Sequence, residues 1–228
     1  MADTGTESID GDSHWVRWHR SYEDPVSPLS VRLRLVQDAL RAGIDAVPPG
    51  PVRIVSLCAG QGRDVIDVVA GHQRAADISA LLVEFDPGLV AFARQRAEEA
   101  GVTGQVTVVE GNAAESRHYA EAVPAHVVLV CGIFGNISAA DVTAIIDALP
   151  TFCGPGAHVI WTRHRRPPDR TPAVRADFAA AGFEEVSFAA PDGYVLSVGL
   201  ERYPGQAPRA FDPDLELFTF VGDGALPA

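Results

Sequence analysis

Short apolar runs alternate with segments of helical spacing along most of the chain from Val52 onward. The apolar runs predict strands at residues 52–57, 79–84, 105–110, 126–131 and 157–162. Nearly continuous apolar runs are typical of parallel strands covered on both faces, because half-exposed strands would alternate polar and apolar residues instead. The pattern therefore predicts a parallel sheet with helices packed on both sides.

The helices between these strands are marked at their ends by capping residues. Helix starts are predicted at 86–87 (Asp-Pro), at Ser138 and at 171–172 (Thr-Pro), and helix ends at Gly101 and Gly182. An earlier helix is predicted from Ser27 and Pro28, with an apolar stripe that runs to Ile44 and stops before Pro48.

Two further apolar runs, 183–190 and 194–203, are joined by the turn residues Pro191, Asp192 and Gly193 and predict a hairpin. Five strands separated by helices and followed by a hairpin predict a Rossmann-like three-layer sandwich. Its sheet would be mostly parallel and seven-stranded, with one antiparallel strand. The run 215–221 is expected either to add a strand or to pack against the hairpin.

The chain before the sheet divides into two parts. Residues 1–12 are polar and acidic and predict a disordered tail. Residues 13–50 predict a helical segment, in which Trp15, Trp18 and Tyr22 share one helical face. Segments before the first strand often close over the ligand in this fold, so Trp18 and Tyr22 are candidates for the substrate pocket. Residues 51–228 would form the binding domain.

Composition narrows the range of partners. The 228 residues carry a formal net charge of −12, which argues against a broad nucleic-acid surface and favours a small-molecule substrate. The polar, acidic start and the lack of a long apolar stretch predict a cytoplasmic protein without a membrane partner. A monomer or a homodimer is expected. Cys58, Cys131 and Cys153 are too few and too scattered for a disulfide framework or a metal site, so no metal is expected.

The turn after the first predicted strand carries the clearest chemistry. It reads SLCAGQGRD at 56–64, and Gly60 and Gly62 would let the backbone approach a ligand closely. Glu84 ends the next strand, where a carboxylate can bind the two hydroxyls of a ribose. A dinucleotide fingerprint would place a third glycine at position 65, which is Val65 here, so NAD is the second choice of cofactor.

These motifs resemble those of class I S-adenosylmethionine-dependent methyltransferases, over about residues 52–203, and a bacterial subgroup in particular. In that family the first strand ends in an acidic residue, and the glycine motif begins two residues later. Here Ser56 and Cys58 stand at those two positions. The resemblance implies S-adenosylmethionine as the cofactor.

The resemblance also assigns residues to the cofactor. The turn from Ala59 to Gly62 would hold the methionine part, Glu84 would bind the adenosine hydroxyls, and Asn112 would donate to the adenine ring. The motif after the fourth strand would lie beside the methionine and the acceptor. The cofactor residues implied are Cys58, Ala59, Gly60, Gln61, Gly62, Glu84, Phe85, Asn112, Ala113, Cys131, Gly132 and Ile133.

The acceptor is not named by any motif, and the sequence offers only candidates for its site. A base is optional in methyl transfer, and His164, His14 and His19 are the histidines considered for it. Arg163 and Arg165 could hold an anionic group of the acceptor, and Asn136 could contact the acceptor. Two alternatives stay open: an NAD(P)-dependent oxidoreductase, and a cofactor-binding protein of this fold without methyl transfer.

Overall fold

The computed structural model describes Tyr22, residues 24–205 and residues 210–221. It contains five α-helices and seven strands within those residues. The helices are α1 (Pro28–Ala46), α2 (Arg63–Gly71), α3 (Pro87–Glu99), α4 (Ala139–Phe152) and α5 (Thr171–Ala180). The strands are β1 (Val52–Leu57), β2 (Ile78–Glu84), β3 (Val106–Glu110), β4 (Ala125–Val130), β5 (Cys153–His164), β6 (Glu184–Ala189) and β7 (Leu196–Arg202).

The strands form one seven-stranded sheet in the order β3-β2-β1-β4-β5-β7-β6. β1 to β5 pair in parallel, and β7 lies between β5 and β6 and is antiparallel to both. The predicted fold class, with its single antiparallel strand and its hairpin, is confirmed. The fifth strand is longer than predicted, because α4 runs directly into it at Cys153 and it continues to His164.

Helices cover both faces of the sheet and build two apolar cores. One core joins the sheet to α1, α2 and α3, and Leu40 and Ile66 in it are fully buried. The other joins the sheet to α4 and α5 around Trp161 and Phe178, whose rings stack 5.8 Å apart. Since α1 packs into the first core, it is part of the same globular unit as the sheet.

The capping residues act as the sequence indicates at three helix starts. The side chains of Ser27, Asp86 and Ser138 accept hydrogen bonds from backbone N–H groups in the first turns of α1, α3 and α4. At the start of α5 the carboxylate of Asp169 accepts hydrogen bonds from the backbone N–H and the hydroxyl of Thr171. No helix of the described residues is long and apolar enough to cross a membrane.

The segment 210–221, called here the C-terminal segment, packs differently from both expectations. It neither adds a strand to the sheet nor packs on the hairpin. Instead it crosses the carboxyl end of the sheet, where Glu216 bridges Glu115 after β3 and Phe220 bridges Ile137 after β4. Leu217 is buried in the second core, which fixes the segment over these loops.

Arg74 fastens the connection between α1 and β1, and we expect Arg74→Ala to lower the free energy of unfolding by about 2 kcal/mol. Its guanidinium donates to the carbonyl oxygens of Ile44, Val47, Pro48 and Gly50 at 2.6 to 3.0 Å. All four acceptors lose a charged donor in the variant. Urea denaturation would measure the loss.

Arg41→Ala is the matched control for this change. Arg41 pairs only with Asp38 one turn earlier on α1, and about half of its side chain is exposed, so its removal should change stability by less than about 0.5 kcal/mol. Equal effects of the two substitutions would contradict the role given to Arg74.

Candidate active site

A cleft opens at the carboxyl ends of β1 to β4 and encloses about 800 Å³ of space, part of it continuous with solvent. The carboxyl edge of an open parallel sheet is where small-molecule ligands bind. The lining residues are Tyr22, Arg32, Cys58, Ala59, Gly60, Asp64, Glu84, Phe85, Asp86, Leu89, Asn112, Ala113, Cys131, Gly132 and Phe220.

The turn after β1 has an unusual backbone. Cys58, Gly60 and Gly62 all have positive φ angles, of 50°, 57° and 63°. Cys58 is the one non-glycine residue with positive φ in the described part of the chain, so this turn holds local strain of the kind found at ligand sites. The left-handed backbone at Gly62 favours glycine, and a Cβ there would also lie 2.8 Å from the terminal methyl groups of Ile66 and Leu82, which would have to shift.

Glu84 holds this turn in place. One carboxylate oxygen accepts from the backbone N–H of Gly60 at 2.7 Å, and the other accepts from Phe85 and Asp86 at 3.0 Å. Burial raises the pKa of Glu84, and the three N–H donors act against that shift. A carboxylate offers about four acceptor positions, so the side chain keeps capacity for a further donor from the cleft.

The loop after β3 presents Asn112 and Ala113 to the same cleft. The side-chain oxygen of Asn112 accepts from the backbone N–H of Ala114 at 3.0 Å, which turns its amide nitrogen into the outward donor. The buried Tyr119 hydroxyl donates to the carbonyl of Ala113 at 2.8 Å and thereby fixes the backbone of this loop.

The loop after β4 is held by two polar contacts. The backbone N–H of Gly132 donates to the hydroxyl of Thr162 at 2.8 Å, and the amide nitrogen of Asn136 donates to the carbonyl of Gly132 at 2.7 Å. Cys131 and Gly132 therefore face the cleft on a fixed backbone. Burial raises the pKa of the Cys131 thiol well above its usual range, so it stays protonated.

A charged group lies at one end of the cleft. Arg32 is hydrogen-bonded to Tyr22, and its charge also acts on Asp64 and Cys131. Burial raises the pKa of Asp64 to about 6, although the backbone N–H of Val65 donates to its carboxylate. The cleft thus carries one positive group, Arg32, and one titratable negative group, Asp64, which interact electrostatically.

Arg63 fixes Tyr22 over this end of the cleft. Its guanidinium lies 5.1 Å from the ring centroid of Tyr22 and 4.9 Å from that of Phe92, and its Nε donates to the side-chain oxygen of Gln61 at 2.6 Å. Both ring contacts are at cation–π distance. Tyr22 therefore belongs to the wall of the cleft, and its predicted contact with the substrate stays a prediction.

The structure brings most of the predicted cofactor residues together and leaves three of them outside the lining. Gln61 is turned toward Arg63, and Gly62 is packed between Ile66 and Leu82. Ile133 is fully buried in the second core. These three residues support the turn after β1 and the loop after β4 without lining the cleft.

The predicted acceptor residues are mostly elsewhere. Asn136 acts on the backbone of Gly132 and does not line the cleft. Arg163 and Arg165 lie at the end of β5, where Arg165 donates to the carbonyl of Tyr194 at 3.0 Å. Trp18 lies outside the described residues, as do His14 and His19.

His164 ends β5 beside Gly135 and does not line the cleft. Its Nδ1 accepts from the backbone N–H of Arg166 at 3.3 Å. Burial lowers its pKa, and the charges of Arg163 and Arg166 lower it further. The structure gives a catalytic role of His164 no support, because a base must reach the acceptor in the cleft.

Five cleft residues were missed by sequence reasoning: Arg32, Asp64, Asp86, Leu89 and Phe220. The place of Asp64 near the cleft could have been predicted, since it stands two positions after Gly62 and therefore in the first turn of α2. No local pattern pointed to Arg32 or Phe220, because they are far along the chain from the motifs. Within the described residues, no group of three or more metal-binding side chains is arranged around a common point.

The structure shows a cleft at the carboxyl edge of a seven-stranded sheet with one antiparallel strand, and comparisons with known proteins specify the family. Residues 19–170 match the family model Methyltransf_20, described as "Putative methyltransferase". This match covers well over half of the chain, and the chain therefore belongs to this family. The search of curated proteins found no match.

Solved structures share the fold at low sequence identity. Magnesium protoporphyrin IX methyltransferase from Synechocystis with bound S-adenosylmethionine is 14% identical, with a TM-score of 0.63 over 82% of this chain and 89% of that one. An RNA methyltransferase from Salinibacter ruber with S-adenosylhomocysteine is 22% identical, with a TM-score of 0.51 over 78% and 96%. The predicted family is confirmed, and the predicted cofactor is the one found in both crystals, as methyl donor or as its product.

The cyclase SpnF is similar as well, being 15% identical with a TM-score of 0.56 over 76% of this chain and 82% of that one. Its name states a reaction other than methyl transfer. The fold by itself therefore does not fix the reaction.

Proposed function

We propose that this protein binds S-adenosylmethionine in the cleft and transfers its methyl group to a small-molecule acceptor. The observation that carries the proposal is the set of groups lining the cleft, which matches the parts of this cofactor. Glu84 offers acceptor capacity for the ribose hydroxyls, and Asn112 offers an amide donor for the adenine ring.

The other end of the cleft matches the methionine part, which is a zwitterion. Arg32 would hold its carboxylate, and Asp64 would hold its ammonium group. Two opposite charges in the lining of one cleft suit a zwitterionic ligand, because each charged group of the ligand can pair with its counter-charge. This pairing needs both residues ionised.

The same pair disfavours NAD. In dinucleotide-binding sheets the pyrophosphate lies at the helix N-terminus after the glycine turn, where it meets backbone N–H groups. Here Asp64 stands in the first turn of that helix and would repel the pyrophosphate. Val65, at the position of the third glycine, is fully buried in the first core, so no backbone surface is open there.

S-adenosylmethionine supplies an activated methyl group on its sulfonium, so the protein's task is to align an acceptor with it. Tyr22, Cys131 and Gly132 border the charged end of the cleft and would form the walls on the acceptor side. The protonated thiol of Cys131 excludes it as a nucleophile at neutral pH. Tyr22, fixed by Arg32 and Arg63, would shield this end from water.

A small molecule is the acceptor class that the charge supports best. The net charge of −12 opposes binding to a nucleic-acid backbone, whose phosphates need Lys and Arg partners.

Methyl transfer is tested with S-adenosylmethionine labelled in its methyl group and an extract separated into small molecules and macromolecules. We expect label only in the small-molecule fraction. Label in RNA or protein would refute the proposal that the acceptor is a small molecule. Binding of S-adenosylmethionine without any turnover would favour a cofactor-binding protein instead.

Thermal shifts with S-adenosylhomocysteine and NAD in parallel test the cofactor, and a shift with NAD alone would favour an oxidoreductase.

The titration of Asp64 predicts a pH dependence of cofactor binding. Only the ionised carboxylate can pair with the ammonium group, and its pKa is about 6. Affinity for S-adenosylhomocysteine should therefore rise about tenfold from pH 5 to pH 7 and then level off. Isothermal titration calorimetry across this range would measure the change.

Asp64→Asn separates this effect from the titration of Glu84, whose pKa is also raised by burial. The variant keeps Glu84 and should bind weakly at every pH, with a much flatter profile. A profile as steep as that of the parent protein would show that Asp64 does not contact the ammonium group.

A further inference from the structure

The C-terminal segment is fastened to two loops of the cleft at once. Its backbone makes hydrogen bonds to the loop after β3 at two points and to the loop after β4 at one point. These bonds run from Ser116 N to Leu215 O (3.1 Å), from Leu217 N to Ala114 O (2.8 Å) and from Val221 N to Asn136 O (2.9 Å). The two loops are those that carry Asn112 and Gly132.

Buried side chains anchor the segment between these bonds. Leu217 and Phe218 are 4% and 3% exposed and belong to the second core. The ring of Phe218 meets that of Phe220 edge-on, with centroids 5.2 Å apart. The position of Phe220 is therefore fixed by the ring of the buried Phe218 and by the backbone hydrogen bond of Val221 to Asn136.

Phe220 is the residue of this segment that enters the cleft. Its backbone bridges Ile137 after β4, while Leu217, three residues earlier, is bonded to Ala114 after β3. Phe220 thus reaches the cleft from the loop after β4 and shares its lining with Asn112 and Ala113, the residues proposed for the adenine.

We propose that Phe220 is a cofactor-positioning residue, whose ring forms the apolar wall against which the adenosyl part of S-adenosylmethionine packs. The proposal rests on the proposed function, since it assumes that this cofactor occupies the cleft. An aromatic ring is suited to this place, because it offers an apolar face to the flat adenine ring. The C-terminal segment keeps the loops after β3 and β4 at the spacing that this packing requires.

Titration calorimetry with S-adenosylhomocysteine tests the proposed role of Phe220 with three variants. Phe220→Ala should weaken binding about tenfold, as expected for loss of one aromatic contact to a base. Phe220→Tyr should restore binding to within about twofold of the parent protein, because the aromatic face is kept.

Phe211→Ala is the matched control. Phe211 lies on the same segment, but its ring packs edge-on against Phe152 at 5.2 Å and does not line the cleft. Its loss should leave the affinity unchanged. In turnover, Phe220→Ala should raise the KM for S-adenosylmethionine with little change in kcat.

The outcomes separate the alternatives. Affinity within twofold of the parent protein in Phe220→Ala overturns the inference, and so does equal weakening by Phe211→Ala, which would indicate a general loosening of the segment. A change confined to the KM of the acceptor would also overturn it, because Phe220 would then border the acceptor. If the parent protein binds no S-adenosylhomocysteine, the proposed function fails before any variant is compared.

Discussion

Glu84→Gln should weaken binding of S-adenosylhomocysteine by about 100-fold and also lower the free energy of unfolding by about 2 kcal/mol. The carboxylate accepts three backbone N–H groups and is the acceptor for the ribose. In the amide, the NH₂ group would face either Gly60 N or the pair of N–H groups of Phe85 and Asp86, so a buried donor loses its acceptor. Calorimetry and urea denaturation would measure the two effects.

Glu110→Gln provides the control for this substitution. Glu110 also ends a strand, β3, next to Glu84 in the sheet register, but its side chain is exposed. Neither affinity nor stability should change measurably in this variant. If Glu84→Gln bound the ligand within threefold of the parent protein, the ribose assignment would be wrong.

Gly199→Ala should destabilise the fold by more than about 3 kcal/mol, a large part of the stability of an ordinary domain. Gly199 lies on β7 opposite Trp161 of β5, and a Cβ there would overlap the indole ring. The ring cannot withdraw, because it is fully buried, stacks on Phe178 and donates to Glu201 at 3.0 Å. Urea denaturation, or loss of soluble protein, would show the effect.

Gly104→Ala makes the same chemical change where no atom lies within 4 Å of the new methyl group and the backbone is not left-handed. Stability should stay within about 0.5 kcal/mol of the parent protein. Comparable destabilisation in the two variants would contradict the steric explanation for Gly199.

The sheet could be predicted from sequence because its strands are uniformly apolar and its helices carry local capping signals. Asp86 and Ser138 act within three residues of their own positions, so their role is visible in a short stretch of sequence. The full length of β5 was missed because α4, which contains Pro150, continues into the strand without a turn.

The candidate site could be predicted only where chemistry and motif coincide along the chain. Glu84 and the glycine turn follow directly from the ends of two adjacent strands. Arg32 and Phe220 reach the cleft through tertiary packing of α1 and of the C-terminal segment, for which no local pattern exists. The charge run that suggested Arg163 and His164 falls at the end of β5, outside the cleft lining.

The cleft is assembled from residues as far apart as Tyr22 and Phe220, almost the whole described length of the chain. Contacts of such long sequence separation close large loops and tend to form late and slowly during folding. Partly folded chains with an intact sheet would then lack a complete binding site. Ligand present during refolding should therefore act on the last steps of assembly and hold the finished protein together, rather than speed the first collapse.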